Sequence, residues 1–330
     1  MTTLHAAPAM PTGRLLILIN AGSGRNNTAE MRQMIEEILQ QSARAYRIIL
    51  VTDPKKLVRI AQDAVAEALA TDGAVVIAGG DGTINTVASA ALASGCPIGI
   101  LPQGTFNYFG RAHGIPEVLA DATHALLQSY AHPVQVGLVN DRLFVVNASV
   151  GLYPKLLQDR EAYTHQYGRS RWVATWAGLL TVLRWKRPMR LILEGDGVRK
   201  ILKTFTLFVG NNRLQMEQIG IPLGTAVEEG QLAAVALRPV ATLGMLWLML
   251  RGAFNRLGEA DNVVSFGFQH MKVKPAHLLP SRRIKVATDG EIAWLRTPLE
   301  FRVSPQPLYL LKPLATVLSP SVSSLAPAAN

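Results

Sequence analysis

Between residues 14 and 101, short apolar runs alternate with amphipathic ones. Residues 14–19 (RLLILI), 46–51 (YRIILV), 74–78 (AVVIA) and 98–101 (IGIL) are rich in Ile, Val and Leu and read as strands. Residues 28–42 carry Met31, Met34, Ile35, Ile38 and Leu39 at helical spacing, with Thr28 placed to cap the helix. Residues 54–70 open on Pro54 and set Leu57, Ile60, Ala61, Ala64, Val65 and Leu69 on one face, predicting a second helix. A third is predicted over 84–93. Strands alternating with helices predict a parallel sheet covered on both faces, with ligand loops beyond the strands' C-terminal ends.

After residue 136 the pattern changes. Candidate strands at 143–149, 190–193, 203–209, 231–237, 263–268, 271–274, 284–287 and 299–303 are short and separated by turns, which predicts an antiparallel sandwich or barrel. Helical inserts are predicted at about 172–185 and 242–257. The resulting division is an α/β part over 13–137, a β-rich part over 138–310 and a partly disordered tail over 311–330. A length of 330 residues also suggests two domains.

Composition narrows this. Hydrophobic residues make up 49% of the chain, so wholesale disorder is excluded. The single cysteine, Cys96, excludes a disulfide framework and a Cys-rich zinc site. The histidines are scattered, with no H-E-x-x-H spacing. The most apolar late stretch, 240–250 (VATLGMLWLML), is shorter than the roughly 20 residues a spanning helix needs. It reads as a buried or a membrane-surface helix. The N-terminus lacks a secretory pattern, so a cytoplasmic protein is expected.

Charge splits the chain. The net charge is +10, but residues 1–137 hold 9 Lys+Arg and 10 Asp+Glu, leaving +11 for the remainder. Between Arg160 and Arg190, Arg and Lys interleave with Trp172, Trp176 and Trp185. That composition suits either an anionic membrane interface or a plain amphipathic helix with a solvated basic end. No helix-turn-helix, zinc-finger or RNP signature supports nucleic acid as the partner.

Three glycine-rich loops follow three of the first-half strands: Asn20-Ala-Gly-Ser-Gly24, Gly79-Gly-Asp-Gly-Thr83 and Leu101-Pro-Gln-Gly-Thr-Phe-Asn107. On a parallel sheet they share one edge. Gly79, Gly80 and Gly82 let backbone N–H groups approach an anion, and a helix starting near Thr83 adds its N-terminal partial charge. Asp81 is suited to hold Mg²⁺ beside a phosphate, or simply to cap that helix. The P-loop pattern is missing, and Gly22-Ser-Gly24 does not continue into a dinucleotide fingerprint. From the residues alone, Asp289-Gly290 in Ala287-Thr-Asp-Gly-Glu291 reads as a hairpin turn.

These three loops, with Gly110-Arg-Ala-His-Gly-Ile-Pro116, Asn147-Ala-Ser-Val-Gly-Leu152, Gly210-Asn-Asn212 and Asp289-Gly-Glu291, resemble the diacylglycerol kinase catalytic domain family, which includes bacterial lipid kinases and sphingosine kinases. The resemblance implies an N-terminal α/β nucleotide domain, its parallel sheet like that of NAD kinases and phosphofructokinases, followed by an antiparallel β-sandwich domain. It implies an Mg²⁺-dependent transfer of the γ-phosphate of ATP to a lipid hydroxyl, diacylglycerol-like, sphingoid or phosphatidylglycerol-like. Asn20, Ser23 and Gly24, then Gly79, Gly80, Asp81, Gly82 and Thr83, then Gly104, Thr105 and Asn107 fall on its nucleotide-binding positions. Asp81 falls on the metal position, Asp289 on the general base and Glu291 on its supporting carboxylate.

The partners implied are ATP and a lipid at the inner membrane face, where the protein would bind peripherally, with room left for a homodimer. The alternatives are an NAD kinase-like enzyme and a non-catalytic lipid- or nucleotide-binding member. The sequence departs from the family pattern in three places, one being Gln215-Met-Glu-Gln-Ile-Gly220, which lacks the glycine cluster common there. Tyr108 stands where an aspartate is usual, and Glu228-Glu229 replaces an Asp-Asp pair that belongs to a structural Mg²⁺ site in some members.

Overall fold

The computed structural model describes residues 10–21, 28–151, 188–195, 198–218, 220–221, 223–241, 260–276 and 283–313, and Pro154, Gly244 and Trp247 singly. The first sheet is built on β1 (Leu15–Asn20), which lies parallel to β2 (Tyr46–Val51) on one side and to β3 (Ala74–Gly79) on the other. β3 pairs in parallel with β4 (Ile98–Pro102). All six residues of β3 are buried, which requires cover on both faces. Helices α1 (Thr28–Gln40), α2 (Leu57–Ala70) and α3 (Asp81–Leu92) supply that cover. Each turns an apolar stripe inward, such as Met31, Ile35 and Leu39 in α1 or Ala61, Ala64, Val65 and Ala68 in α2. The predicted α/β alternation therefore stands. α3 starts three residues earlier than its periodicity predicts, because Gly80 takes the extended N-cap conformation and its carbonyl accepts from the Ile84 N–H.

Two strands complete this sheet. β5 (Ser129–Val134) and β18 (Leu308–Pro313) extend it to the order β2-β1-β3-β4-β18-β5. β18 runs parallel to β4 and antiparallel to β5, so the last described strand returns between two elements of the first half. Neither strand was predicted, and nor were the short helices α4 (Tyr108–Ala112) and α5 (Leu119–Leu127).

The remaining strands form two six-stranded sheets whose pairings are antiparallel throughout. One joins β6 (Gly137–Val139), β7 (Arg142–Phe144), β9 (Met189–Gly195), β10 (Val198–Thr204), β14 (His270–Pro275) and β17 (Leu299–Val303) in the order β10-β9-β14-β17-β6-β7. The other joins β8 (Asn147–Gly151), β11 (Thr206–Gly210), β12 (Leu232–Leu237), β13 (Val263–Phe268), β15 (Arg283–Thr288) and β16 (Glu291–Arg296) in the order β13-β12-β11-β8-β15-β16. Phe144, Leu193 and Phe301 of one sheet share a single core with Val150, Leu207 and Val286 of the other, so the two face each other. Helices α6 (Arg213–Gln218) and α7 (Gly224–Glu228) pack outside the second sheet through a small cluster around Met216 and Val235.

Two predicted strands are broken in the fold. The run 143–149 divides into β7 and β8 because the N–H groups of Val145, Val146 and Asn147 turn toward the Asp289 carboxylate. The run 203–209 divides at Phe205, where the chain leaves one sheet for the other. The Thr204 hydroxyl secures that crossing on the carbonyls of Thr206 and Leu237. The predicted insert at 172–185 lies outside the described residues, as does 242–257 except Gly244 and Trp247. Among the described residues, no helix is long and apolar enough to cross a membrane.

Candidate active site

The C-terminal ends of β1, β3 and β4 carry the three glycine-rich loops to one edge of the first sheet, and side chains stitch them together. Asn20, the last residue of β1, donates from Nδ2 to the Thr83 hydroxyl at 2.9 Å. The backbones of the second and third loops touch at glycines. A Cβ on Gly104 would fall 2.9 Å from Gly80 Cα and 2.8 Å from Asn107 Oδ1, so no side chain fits there. Asn107 is buried at φ +47°, and its Oδ1 accepts from the Gly104 N–H at 2.8 Å, which locks the loop. A Cβ on Gly79 would likewise collide with the Thr83 side chain. Thr105 is exposed at the loop tip. Ser23 and Gly24 lie outside the described residues.

The loops border a cleft of about 460 Å³ lined by Asn20, Gly80, Gly82, Thr83 and Gly104 together with Pro54, Leu57, Val58, Thr86 and Glu291. The cleft fits a nucleotide's phosphates: glycines expose backbone where a Cβ would block it, and the N-terminus of α3 opens onto it. Asp81 does not line the cleft. Its oxygens accept from the N–H groups of Tyr108 and Phe109 at 3.3 Å each, so it caps α4. Burial pushes its carboxyl above the ordinary aspartate range, against the pull of those two N–H groups.

The second half contributes the β15–β16 hairpin. Its turn residues Asp289 (φ +49°) and Gly290 (φ +89°) both take the left-handed conformation, as a type I′ turn requires. The turn reading and the site reading are therefore compatible. The Asp289 carboxylate sits in a cage of four donors. Oδ1 accepts from the N–H groups of Val146 and Asn147 at 2.8 and 2.9 Å, and Oδ2 from the Val145 N–H at 2.7 Å and Asn85 Nδ2 at 2.6 Å. Desolvation nevertheless raises its pKa from 3.8 to about 6, the four donors opposing it. Asn85, on the second turn of α3, also bonds the Leu143 carbonyl. It ties the helix that starts at the diglycine loop to the carboxylate cage.

Glu291 is differently placed. It is exposed, and its Oε2 pairs with Arg142 Nη2 at 3.0 Å, while Arg142 Nε donates to Thr288 Oγ1. Its Oε1 lies 3.6 Å from where a Cβ on Gly82 would stand. The structure thus brings Asn20, Gly80, Gly82, Thr83, Gly104 and Glu291 together and sets Asp81 and Asp289 behind them as caps and cages. The sequence analysis missed Asn85 and Arg142. The one signal for Asn85 was an amide on a helix whose neighbours Ile84, Val87, Ala88 and Ala91 are apolar.

Tyr108 bridges the two halves. Its hydroxyl donates to Gln218 Oε1 at 2.8 Å, and its carbonyl accepts from Asn212 Nδ2 at 2.9 Å. The residues at the expected structural Mg²⁺ position do not fit a metal. The Glu228 carboxylate is taken by the Arg213 guanidinium, which also holds Glu217 at 2.5 Å. Among the described residues, no group of three His, Cys, Asp or Glu is arranged to hold an ion.

Residues 14–139 match the family model described as the diacylglycerol kinase catalytic domain. A Staphylococcus epidermidis protein named "Putative lipid kinase" is 29% identical over 244 residues, covering 71% of this chain and 75% of its own. The diacylglycerol kinase of Bacillus subtilis is 39% identical over 88 residues, 26% of this chain and 29% of the relative. An alignment with a Synechocystis protein likewise spans only 36% of that relative's length. A solved structure of a diacylglycerol kinase from Bacillus anthracis superposes with a TM-score of 0.64 at 15% identity, over 91% of this chain and 97% of that one. At that identity the likeness is one of fold.

Proposed function

We propose, from the match of residues 14–139 to the diacylglycerol kinase catalytic domain model, that the chain is an ATP-dependent lipid kinase. The observation that carries the reading is the meeting of the three glycine loops with the Glu291 carboxylate in one cleft. When bound, Mg-ATP supplies the γ-phosphoryl group and the cation that neutralises its charge.

The chain's own residues position and accept. Backbone at Gly80, Gly82 and Gly104 cradles the phosphates, helped by the N-terminus of α3 and the Asn20–Thr83 pair. Glu291 takes the proton that the acceptor hydroxyl sheds as its oxygen bonds to phosphorus and ADP departs with the other bonding pair. Asp289 is a positioning residue in this reading. Its two oxygens already accept four hydrogen bonds, about the full capacity of a carboxylate, which leaves none for a substrate proton. The roles of the two carboxylates are thus the reverse of those implied by the resemblance. Asp81 supports the site by holding α4 against the third loop.

The chain is divided functionally into a nucleotide part, 13–137 together with β18, and a lipid part over most of 138–310. The acceptor alcohol is a lipid hydroxyl presented at the inner membrane face. The test is a phosphorylation screen with Mg-ATP over diacylglycerol, sphingoid bases and phosphatidylglycerol in mixed micelles, with NAD as a soluble acceptor, read by mass spectrometry. Phosphate on one of the lipids is expected. Phosphate on NAD alone would make the protein an NAD kinase-like enzyme. ATP binding without transfer to any acceptor would make it a binding protein.

A further inference from the structure

The three departures from the family pattern meet at one short helix, α6. Residues 215–218 form its last turn. Tyr108 holds the helix at both ends. Its hydroxyl donates to Gln218 Oε1 at 2.8 Å, and its carbonyl accepts from Asn212 Nδ2 at 2.9 Å. Asn212 Oδ1 in turn accepts from the Gln215 N–H at 3.0 Å. Glu228, the last residue of α7, reaches the same helix through Arg213. The Arg213 guanidinium forks between the two helices, with Nε on Glu217 Oε1 at 2.5 Å and Nη1 on Glu228 Oε1. Its stem lies against the first residue of α7, since a Cβ on Gly224 would fall 3.0 Å from Arg213 Cγ.

One carboxylate from each helix is held within reach of a single guanidinium, with Glu229 next in sequence. Without a cation between them these acids would repel one another across the joint. Arg213 is such a cation, fixed by its own backbone, and a divalent ion approaching the same oxygens would meet its charge. We propose that Arg213 is a built-in counter-ion that holds α6 on α7 in place of a structural divalent ion, and that Tyr108 passes the position of α6 on to the cleft. Tyr108 opens α4, its N–H donating to Asp81 Oδ2 at 3.3 Å. The residue before it, Asn107, fixes the N–H of Gly104, which lines the cleft. Arg213 and Tyr108 are thus positioning residues. The part played by Tyr108 rests on the reading of that cleft as a nucleotide site, whereas the part played by Arg213 does not.

The experiment is thermal melting of the full chain without nucleotide, in EDTA and in millimolar Mg²⁺, for wild type and Arg213→Met. Wild type is expected to melt at the same temperature in both. Arg213→Met keeps a stem against Gly224 but leaves the two carboxylates facing each other, and should melt about 2–4 °C lower in EDTA. Mg²⁺ should raise that variant back toward wild type, because the freed carboxylates then have a divalent ion to share. A mere loss of packing would not respond to the ion. In calorimetry of Mg-ATP binding, Tyr108→Phe should lose about two- to ten-fold in affinity, the worth of one hydrogen bond.

A wild-type melt that drops in EDTA would overturn the built-in counter-ion, since the fold would then depend on a bound ion. So would an Arg213→Met melt equal to wild type in EDTA, or one that is lowered and does not respond to Mg²⁺. Unchanged ATP affinity in Tyr108→Phe would overturn its link to the cleft. A wild type that binds no ATP, with the melts as expected, would leave the role of Arg213 standing and overturn the kinase reading. Lipid phosphorylation by a wild type whose melt drops in EDTA would do the reverse.

Discussion

Two carboxylates two residues apart sit in different environments. Glu291 is exposed, with one oxygen on Arg142 and the other toward Gly82, whereas Asp289 is saturated by four donors. Glu291→Gln should lower kcat by about 10²- to 10⁴-fold, the usual worth of a general base, with ATP affinity and melting temperature little changed. Asp289→Asn places an amide NH₂ against N–H donors and leaves at least one unpaired. It should cost about 1–3 kcal/mol in stability, read as a lower melting temperature. A Glu291→Gln enzyme near wild-type kcat, with Asp289→Asn inactive at an unchanged melting temperature, would return the base role to Asp289.

Protonation sets a second test. The Asp289 carboxyl titrates at about 6 rather than 3.8, so the folded chain keeps that proton to higher pH. Between those values its contribution to stability falls as pH rises, by up to about 3 kcal/mol. His113, desolvated and packed edge-on to Phe109, titrates at about 4 rather than 6.5. The folded chain sheds that proton early, so its contribution rises with pH across nearly the same window, by up to about 3 kcal/mol. The two oppose each other. His113→Gln should therefore make the urea midpoint fall more steeply, or rise less, than wild type between about pH 4 and about pH 6. The same pH dependence in variant and wild type would contradict this.

Among the elements, the strand–loop–helix units of the first sheet were readable because their causes are local. A run of β-branched and leucine residues, a helical stripe and a pair of glycines each state their own conformational need. The close approach of Gly80 and Gly104 was not readable, since it joins loops from two different strands. It makes Gly104→Ala a sharp probe. The added Cβ would stand 2.8 Å from Asn107 Oδ1 and must push the loops apart. Overpacking of that kind costs about 1–3 kcal/mol, so ATP affinity should fall by about ten-fold or more in calorimetry. Unchanged affinity would remove the third loop from the nucleotide site.

For the molecule as a whole, β18 is the closing piece. It brings Leu308, Leu310 and Leu311, all nearly fully buried, into the core of the first sheet from the far end of the chain. Burying three leucines is worth about 6 kcal/mol, comparable to the whole stability of an ordinary domain. A chain ending at Ser304 should therefore lose its cooperative melt, seen by calorimetry and by poor solubility. A truncated chain that melts like wild type would show β18 to be dispensable.

The run of residues along the chain thus settled the α/β first half, the antiparallel second half, the three glycine loops and the Asp-Gly turn. Each depends on torsions and periodicities within a few neighbouring residues. Long-range contacts settled the rest. Asp289 breaks a predicted strand 144 residues earlier by drawing in the Val145 N–H, β18 crosses back beside β4, and Glu291 comes to face Gly82. A hydrogen bond or a close packing between distant segments leaves no periodic trace in either of them. Only the folded chain shows which carboxylate is enclosed by four donors and which lies exposed at the cleft.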